Sequence, residues 1–158
     1  MKDRLNKLLE WVVVVLLCVM LFSVLWGVFT RYFFADQSSW TDELARFTLI
    51  WVSILGAAYI SGKNAHITID LLSASIALKA RLQMEVVTGM IISLFVLVIF
   101  LVGGSRYIYI SFKLGQTSAA LEIPMGYVYL VLPIAGIIII YFKILGILRS
   151  TKALKLID

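Results

Sequence analysis

Two acidic residues and an arginine lie close together at the start of a long uncharged stretch, and they are the residues best placed for chemistry. Asp42 and Glu43 precede Arg46 by four and three positions, so on a helix the three side chains can meet on one surface. Ser39 is expected to cap this helix, and its first turn, where the dipole favours negative charge, holds the acidic pair. No charge appears from Phe47 to Gly62. We expect Arg46 to pair with Glu43 or Asp42 at the outer end of a membrane helix.

No grouping of residues in this sequence points to catalysis or to a bound cofactor. His66 is the only histidine, so the two axial histidines of a haem are missing. No carboxylate falls near the middle of an apolar run, where an autonomous transporter usually places a charge for its substrate or coupling ion. We expect a protein that is not an enzyme, binds no cofactor or metal, and supports another protein. A homodimeric small exporter and the membrane anchor of a respiratory enzyme stay open as alternatives.

The composition indicates an integral membrane protein. Of the 158 residues, 62% are hydrophobic and 15% are charged, whereas a soluble domain has about 45–50% apolar and about 25% charged residues. The net charge of +5 raises the question of a nucleic-acid partner. The basic residues, however, lie in the short segments between apolar runs, so membrane topology explains the charge better and we expect membrane lipids, not nucleic acid, around this chain.

Four apolar runs are long enough to cross a bilayer as helices. The sequence predicts membrane helices over about 9–31, 40–61, 85–110 and 124–149. A short amphipathic helix is expected over about 71–83, along the cytoplasmic surface. Pro133 should kink the fourth helix and free the carbonyl of Tyr129. The expected fold is an all-α integral membrane protein, with residues 1–158 forming one membrane domain.

The distribution of basic residues predicts the orientation in the membrane. Ten basic residues fall on one side of the four runs: Lys2, Arg4, Lys7, Lys63, Lys79, Arg81, Lys143, Arg149, Lys152 and Lys155. Four fall on the other: Arg31, Arg46, Arg106 and Lys113. Because cytoplasmic segments carry the excess of Lys and Arg, we expect both termini to be cytoplasmic.

A face of small residues runs along the second helix. Ser53, Ala57 and Ser61 follow Arg46 and Ile50 at helical spacing. Small residues every four positions let another helix backbone approach closely, which is how helices associate in lipid. The face meets either the other helices of this chain or a second protein, and the sequence favours neither.

Five segments of the chain carry a family pattern: GVFTRYFF (27–34), WTDELARF (40–47), GAAY (56–59), NAHITID (64–70) and LEIPMGYVYLVLP (121–133). Together they resemble the small membrane subunit of tripartite ATP-independent periplasmic (TRAP) transporters, in order and over most of the chain. WTDELAR and the spacing of Gly62, His66 and Asp70 are the more specific parts. The positions that match the family motif are Arg31, Trp40, Glu43, Arg46, His66, Asp70 and Pro124.

The resemblance implies a role in the bacterial inner membrane. In such a transporter a soluble periplasmic protein captures a small organic acid, such as a C4-dicarboxylate or sialic acid. A large membrane subunit then moves it inward, drawing on a sodium gradient by an elevator-like motion. The small subunit binds the large one, enlarges its stationary scaffold and offers a periplasmic surface to the loaded binding protein. The large permease subunit and the binding protein are therefore the partners that the resemblance implies.

Overall fold

The computed structural model describes residues 2–34, 38–63 and 78–156. They form the helices α1 (Lys2–Phe33), α2 (Ser39–Lys63), α3 (Leu78–Lys113), α4 (Met125–Tyr129) and α5 (Val131–Leu154). Helices α1, α2, α3 and the stretch Met125–Leu154 are each long and apolar enough to cross a membrane. The expectation of an all-helical chain with four long apolar helices is confirmed.

All four spans extend further than the apolar runs predicted, and two of them do so by several residues at their start. Helix α1 already begins at Lys2, and α3 begins at Leu78. Residues 78–83 of the expected amphipathic segment are therefore the first turns of α3, and residues 71–77 lie outside the described residues. Because the long stems of Lys and Arg side chains can lie along a helix while their charges reach water, a membrane helix continues past its apolar core without difficulty.

The fourth span is interrupted where the proline pattern predicted. The α-helical hydrogen-bond pattern is interrupted at Leu130, between α4 and α5, although Leu130 keeps helical dihedral angles (φ −57°, ψ −24°). Pro133 lies in the first turn of α5. Pro133 cannot donate a hydrogen bond to the carbonyl of Tyr129 four residues earlier, so the regular helix cannot pass this point. The interruption lies where the kink was expected, and the kink itself stays a prediction.

A second irregularity, which the sequence did not suggest, lies opposite this break. Within α3, Leu97–Gly103 forms a π-helix, a wider turn usually seen as a short insertion in α-helices. Contacts between the two irregular stretches are close: a β-carbon added at Gly104 would lie 2.9 Å from Cβ of Leu132, and one added at Gly136 would lie 2.6 Å from Cδ1 of Leu101. The glycines let the two helices approach here.

The helices bury small and hydroxyl-bearing residues and expose large apolar ones. Helix α2 packs against α1 and α5, and α5 packs against α3. Helix α1 buries Leu9, Ser23, Gly27 and Thr30. Its exposed side chains include Trp11, Phe22, Leu25, Trp26 and Phe33. This pattern suits a lipid surrounding, where close backbone packing holds helices together. Large apolar side chains can face outward there without a cost in free energy, because lipid tails are equally apolar.

Hydroxyl groups take part in the contact between α1 and α2. The Ser23 hydroxyl donates to the Thr41 carbonyl at 2.7 Å, and the Thr41 hydroxyl donates to the Ser38 carbonyl at 2.6 Å. Gly27 faces Thr41, since an added β-carbon would lie 2.7 Å from Thr41 Oγ1. Ser39 is the first residue of α2, so the residue preceding the helix is Ser38, not Ser39 as expected.

A side chain at Gly27 should force α1 and α2 apart. Gly27→Leu must displace the Thr41 hydroxyl from Ser38, and overpacking of this kind costs about 1–3 kcal/mol. The matched control is Gly146→Leu in α5, where an added β-carbon meets nothing within 4 Å. We expect Gly27→Leu to lower the midpoint of thermal unfolding in detergent relative to Gly146→Leu. Equal midpoints for the two variants would contradict this packing.

Candidate functional site

The carboxylate of Glu43 is bound by three main-chain amides from a distant part of the chain. Oε1 accepts a hydrogen bond from the N–H of Ala119 at 2.9 Å, and Oε2 accepts from Ala120 at 2.9 Å and Leu121 at 2.8 Å. Hydrogen bonds to an ionised acceptor are roughly twice as strong as neutral ones. The start of α2 is thus tied to the connection between α3 and α4.

That connection folds as a short hairpin, here called the outer hairpin (residues 116–125). Helix α3 ends in a Schellman motif: Gly115 has φ +59°, and the N–H groups of Gly115 and Gln116 donate to the carbonyls of Phe112 and Ser111, each at 3.1 Å. An antiparallel bridge then joins Thr117 to Pro124. Each side of the bridge is closed by main-chain hydrogen bonds, Ser118 N–H to Ile123 O and Met125 N–H to Gln116 O, both 2.9 Å.

The expected pairing of Arg46 with Asp42 or Glu43 needs correction. Both carboxylate oxygens of Glu43 accept hydrogen bonds from the outer hairpin. Arg46 is exposed, and within the described ranges it takes part in no ion pair. The local spacing predicted Arg46 as the partner of the Glu43 carboxylate. The carboxylate binds three amides instead, because the hairpin holds them together whereas the Arg46 guanidinium is flexible and solvated.

Part of the small-residue face of α2 points away from the rest of the chain. Ser53 and Ala57 are exposed, and so is Arg46, whereas Ile50 and Ser61 are half-buried. An additional β-carbon at the neighbouring Gly56 would meet nothing within 4 Å. The residues that α2 buries against α1 and α5 lie on its other side: Thr41, Thr48, Leu55, Ala58 and Gly62. The other helices of this chain therefore leave Ser53 and Ala57 uncovered.

The remaining predicted site residues are spread along the chain. Arg31 is exposed in the last turn of α1, where the helix dipole favours a positive charge. Trp40 is 38% exposed in the first turn of α2. Pro124 directly precedes α4 instead of lying in its first turn, with φ −58° and ψ 121°. His66 and Asp70 lie outside the described residues.

Two contacts that the sequence did not suggest support the same end of the molecule. The indole N–H of Trp51 donates to the Val128 carbonyl at 3.0 Å, which ties α2 to α4 just before the helix break. The Ser38 hydroxyl donates to the Thr30 hydroxyl at 3.1 Å, which joins the ends of α1 and α2. The helical spacing of Ser23, Gly27 and Thr30 could have predicted which face of α1 is buried. The Trp51 hydrogen bond could not have been predicted from the sequence, because its acceptor is a main-chain carbonyl 77 residues away.

Within the described ranges no three His, Cys, Asp or Glu side chains come together as a metal site. The described residues instead provide two surfaces for binding another molecule. One is the exposed small-residue face of α2, and the other is the outer hairpin that Glu43 anchors. Comparison with known proteins gives these surfaces a context. Residues 20–153 match the family described as tripartite ATP-independent periplasmic transporters, DctQ component.

The chain belongs to the DctQ family. It is 25% identical to the sialic acid TRAP transporter small permease protein SiaQ of Vibrio cholerae over 159 aligned positions, covering 98% of this chain and 87% of the relative. It is 26% identical over 134 positions to a Haemophilus influenzae protein assigned as a TRAP transporter small permease, covering 85% and 81% of the two chains. A second Haemophilus influenzae protein with the same assignment is 22% identical over 148 positions.

Membership in the DctQ family makes this chain the small permease component of a TRAP transporter, a membrane protein and not an enzyme. The tripartite family description adds two further components to the system. The resemblance drawn from the five sequence segments is confirmed. The respiratory anchor and the autonomous exporter are set aside.

Replacement of the Glu43 charge should loosen the outer hairpin. Glu43→Gln leaves one neutral oxygen for three donors, and hydrogen bonds to a charged group contribute about 1.5–3 kcal/mol each. We expect hydrogen–deuterium exchange at Ala119, Ala120 and Leu121 to become about tenfold faster or more.

The matched control for this measurement is Glu122→Gln, which makes the same substitution at an acidic residue of the outer hairpin itself. Glu122 is exposed and accepts none of the three amide hydrogen bonds. Its exchange pattern should equal that of the wild type. Unchanged exchange in Glu43→Gln would show that the carboxylate does not hold the hairpin.

Proposed function

We propose that this DctQ-family chain is the small subunit of a sodium-coupled importer of small organic acids in the bacterial inner membrane. In this role it binds the large permease subunit, widens its stationary scaffold and helps to dock the periplasmic binding protein. The observation that carries the proposal is the exposed face of α2 around Ser53 and Ala57 in a chain whose family belongs to three-component transporters.

The orientation that the proposal requires rests on charge. In the proposal the four spans alternate in direction, which puts both ends of the described chain, the end of α2 and the start of α3 on one side, together with the ten basic residues. The positive-inside rule makes that side cytoplasmic. The outer hairpin and the start of α2 then face the periplasm.

The large subunit is proposed to cover the face of α2 formed by Arg46, Ser53 and Ala57. Ser53 and Ala57 carry short exposed side chains, and along the helix they lie between the larger exposed Leu49 and Ile60. This stretch of the α2 surface, which has only short side chains, is here called the groove. Lipid chains gain little packing energy in such a groove, whereas a second helix can bring its backbone close to α2 there. Arg46 at the outer end of the groove is free of internal ion pairs within the described ranges and is available to a carboxylate of the partner.

The substrate is proposed to be a small carboxylic acid of the C4-dicarboxylate or sialic acid type. The name of the Vibrio cholerae relative points to sialic acid, at 25% identity to this chain. Selection among these acids is assigned to the binding protein and the large subunit, because in the described ranges no charged residue falls near the middle of a membrane span.

A bulky residue in the groove should separate the two membrane subunits. We expect Ser53→Phe to lower the yield of large subunit that co-purifies with this chain by about tenfold, since a lost interface contact of about 1.4 kcal/mol corresponds to that factor. The matched control is Thr88→Phe, which places the same side chain at an exposed small residue of α3.

The same pair of variants distinguishes the two faces. A normal yield for Ser53→Phe together with a reduced yield for Thr88→Phe would move the interface to α3 and overturn the assignment to α2. Arg46→Lys should be compared in the same assay, because lysine keeps the charge but cannot form a planar two-pronged bond to a carboxylate.

A further inference from the structure

We propose that the start of α3 and the end of α5 form a binding site for a phosphate group, which an anionic phospholipid such as phosphatidylglycerol supplies, with Arg81 as its main ligand. Residues 78–85 and 143–155 are here called the inner end. The site would bind a lipid molecule and not another subunit of the transporter, so it goes beyond the proposed function.

The guanidinium of Arg81 carries two buried donors without an acceptor. Its Nε and Nη2 atoms are closed off from solvent, and within the described ranges neither donates a hydrogen bond. A charged group in this state is costly, because it has lost its water and gained no partner. The two atoms lie on one edge of the guanidinium and form a fork that donates to two oxygens of a single phosphate or carboxylate. This edge of Arg81 therefore fits an anion with two oxygens side by side.

The charges around Arg81 also favour an anion. The inner end holds six basic residues: Lys79, Arg81, Lys143, Arg149, Lys152 and Lys155. Its one acidic residue is Glu85. Glu85 follows Arg81 by one helical turn, but it also interacts electrostatically with Lys143 of the facing helix. One carboxylate thus serves two cations, and the inner end keeps an excess of positive charge that attracts acidic headgroups.

Close packing of α3 against α5 places Arg81 between the two helices. A β-carbon added at Gly89 would lie 2.9 Å from Cγ1 of Ile147, and one added at Gly104 would lie 2.9 Å from Cβ of Leu132. These contacts show that the two helices run antiparallel. The same register places Arg81 level with the last residues of α5. Arg81 is half-buried there, whereas the basic residues of α5 beyond Ile147 are exposed.

Arg81 lies at the depth of the lipid headgroups. The uncharged run of α3 begins at Val86, so Arg81 precedes it by about 7 Å along the helix at about 1.5 Å per residue. The headgroup layer on each side of the hydrocarbon core is about 5–7 Å thick. Basic pockets between membrane helices bind acidic lipid headgroups at this level. The position of Arg81 therefore favours a phospholipid over a soluble phosphate as the source of the anion.

The direct test is a titration of the purified chain with phosphatidylglycerol in detergent, followed by native mass spectrometry. We expect Arg81→Gln to raise Kd about tenfold, because it removes the charged fork. Arg81→Lys should also weaken binding, since lysine keeps the charge but has no fork. The matched control is Arg149→Gln, which removes the same charge from an exposed position of the inner end and should leave Kd unchanged. Equal weakening by Arg81→Gln and Arg149→Gln would indicate general charge attraction and overturn the site.

Two further titrations of the wild-type chain identify the source of the phosphate. Phosphatidylcholine with the same acyl chains has no net charge and should bind more weakly than phosphatidylglycerol. Inorganic phosphate at the concentration of the lipid should not displace phosphatidylglycerol. Equal affinity for the two lipids would contradict an anionic-lipid site. Displacement by inorganic phosphate would identify a soluble anion as the ligand and overturn the assignment to lipid.

Thermal unfolding distinguishes a lipid acceptor from an acceptor on a protein. In lipid-free detergent Arg81→Gln should unfold at the wild-type midpoint or above it, because it removes a buried charge that has no partner. Added phosphatidylglycerol should raise the midpoint of the wild type more than that of Arg81→Gln. A lower midpoint for Arg81→Gln without lipid would identify an acceptor within the chain and overturn the inference.

The lipid measurements need no large subunit, so their outcome is independent of the proposed function. The large subunit enters only as a rival source of the anion. Reduced co-purification of the large subunit by Arg81→Gln, together with an unchanged Kd for phosphatidylglycerol, would assign Arg81 to the contact between subunits and overturn the lipid site.

Discussion

Within a membrane, apolar side chains gain nothing by leaving lipid for the protein interior, so helices are held by close backbone approach and by hydrogen bonds to polar groups. The structure follows this constraint throughout. Gly27 lies against Thr41, and Gly104 and Gly136 let α3 and α5 meet at their irregular stretches. The large apolar side chains of α1 point outward. What the four helices leave uncovered is available to lipid and to the other subunits.

The same constraint accounts for the polar contacts. Where the regular helical hydrogen bonding of the chain stops, its main-chain groups need partners, because unpaired ones are costly in an apolar surrounding. Trp51 supplies a donor to the carbonyl of Val128 beside the break in the fourth span, and Glu43 supplies acceptors to three amides of the outer hairpin. Both residues lie on α2. This helix thus organises the molecule on its buried side and presents the small-residue groove on its exposed side.

Local patterns in the sequence were sufficient to predict much of the fold. Uncharged runs predicted the four spans, and Pro133 predicted the break, since both effects act over a few neighbouring residues. The partner of Glu43 could not be predicted, because it lies 76 residues away and consists of main-chain amides, which every residue carries. Local spacing favoured Arg46 as the partner of Glu43 instead. The π-helix of α3 likewise had no signal in the local pattern, and the small-residue face could not be oriented without knowing where α1 and α5 pack.

The most direct test of the account is whether the large subunit covers the groove of α2. The free Cys18 is replaced by serine. A spin label is then attached to a cysteine at Ala57 or, as control, at Thr88, and its accessibility to lipid-dissolved oxygen is measured by electron paramagnetic resonance. The account predicts high accessibility at both sites in the isolated chain and a loss at Ala57 alone when the large subunit is added. Unchanged accessibility at Ala57, or a loss at Thr88 instead, would contradict it.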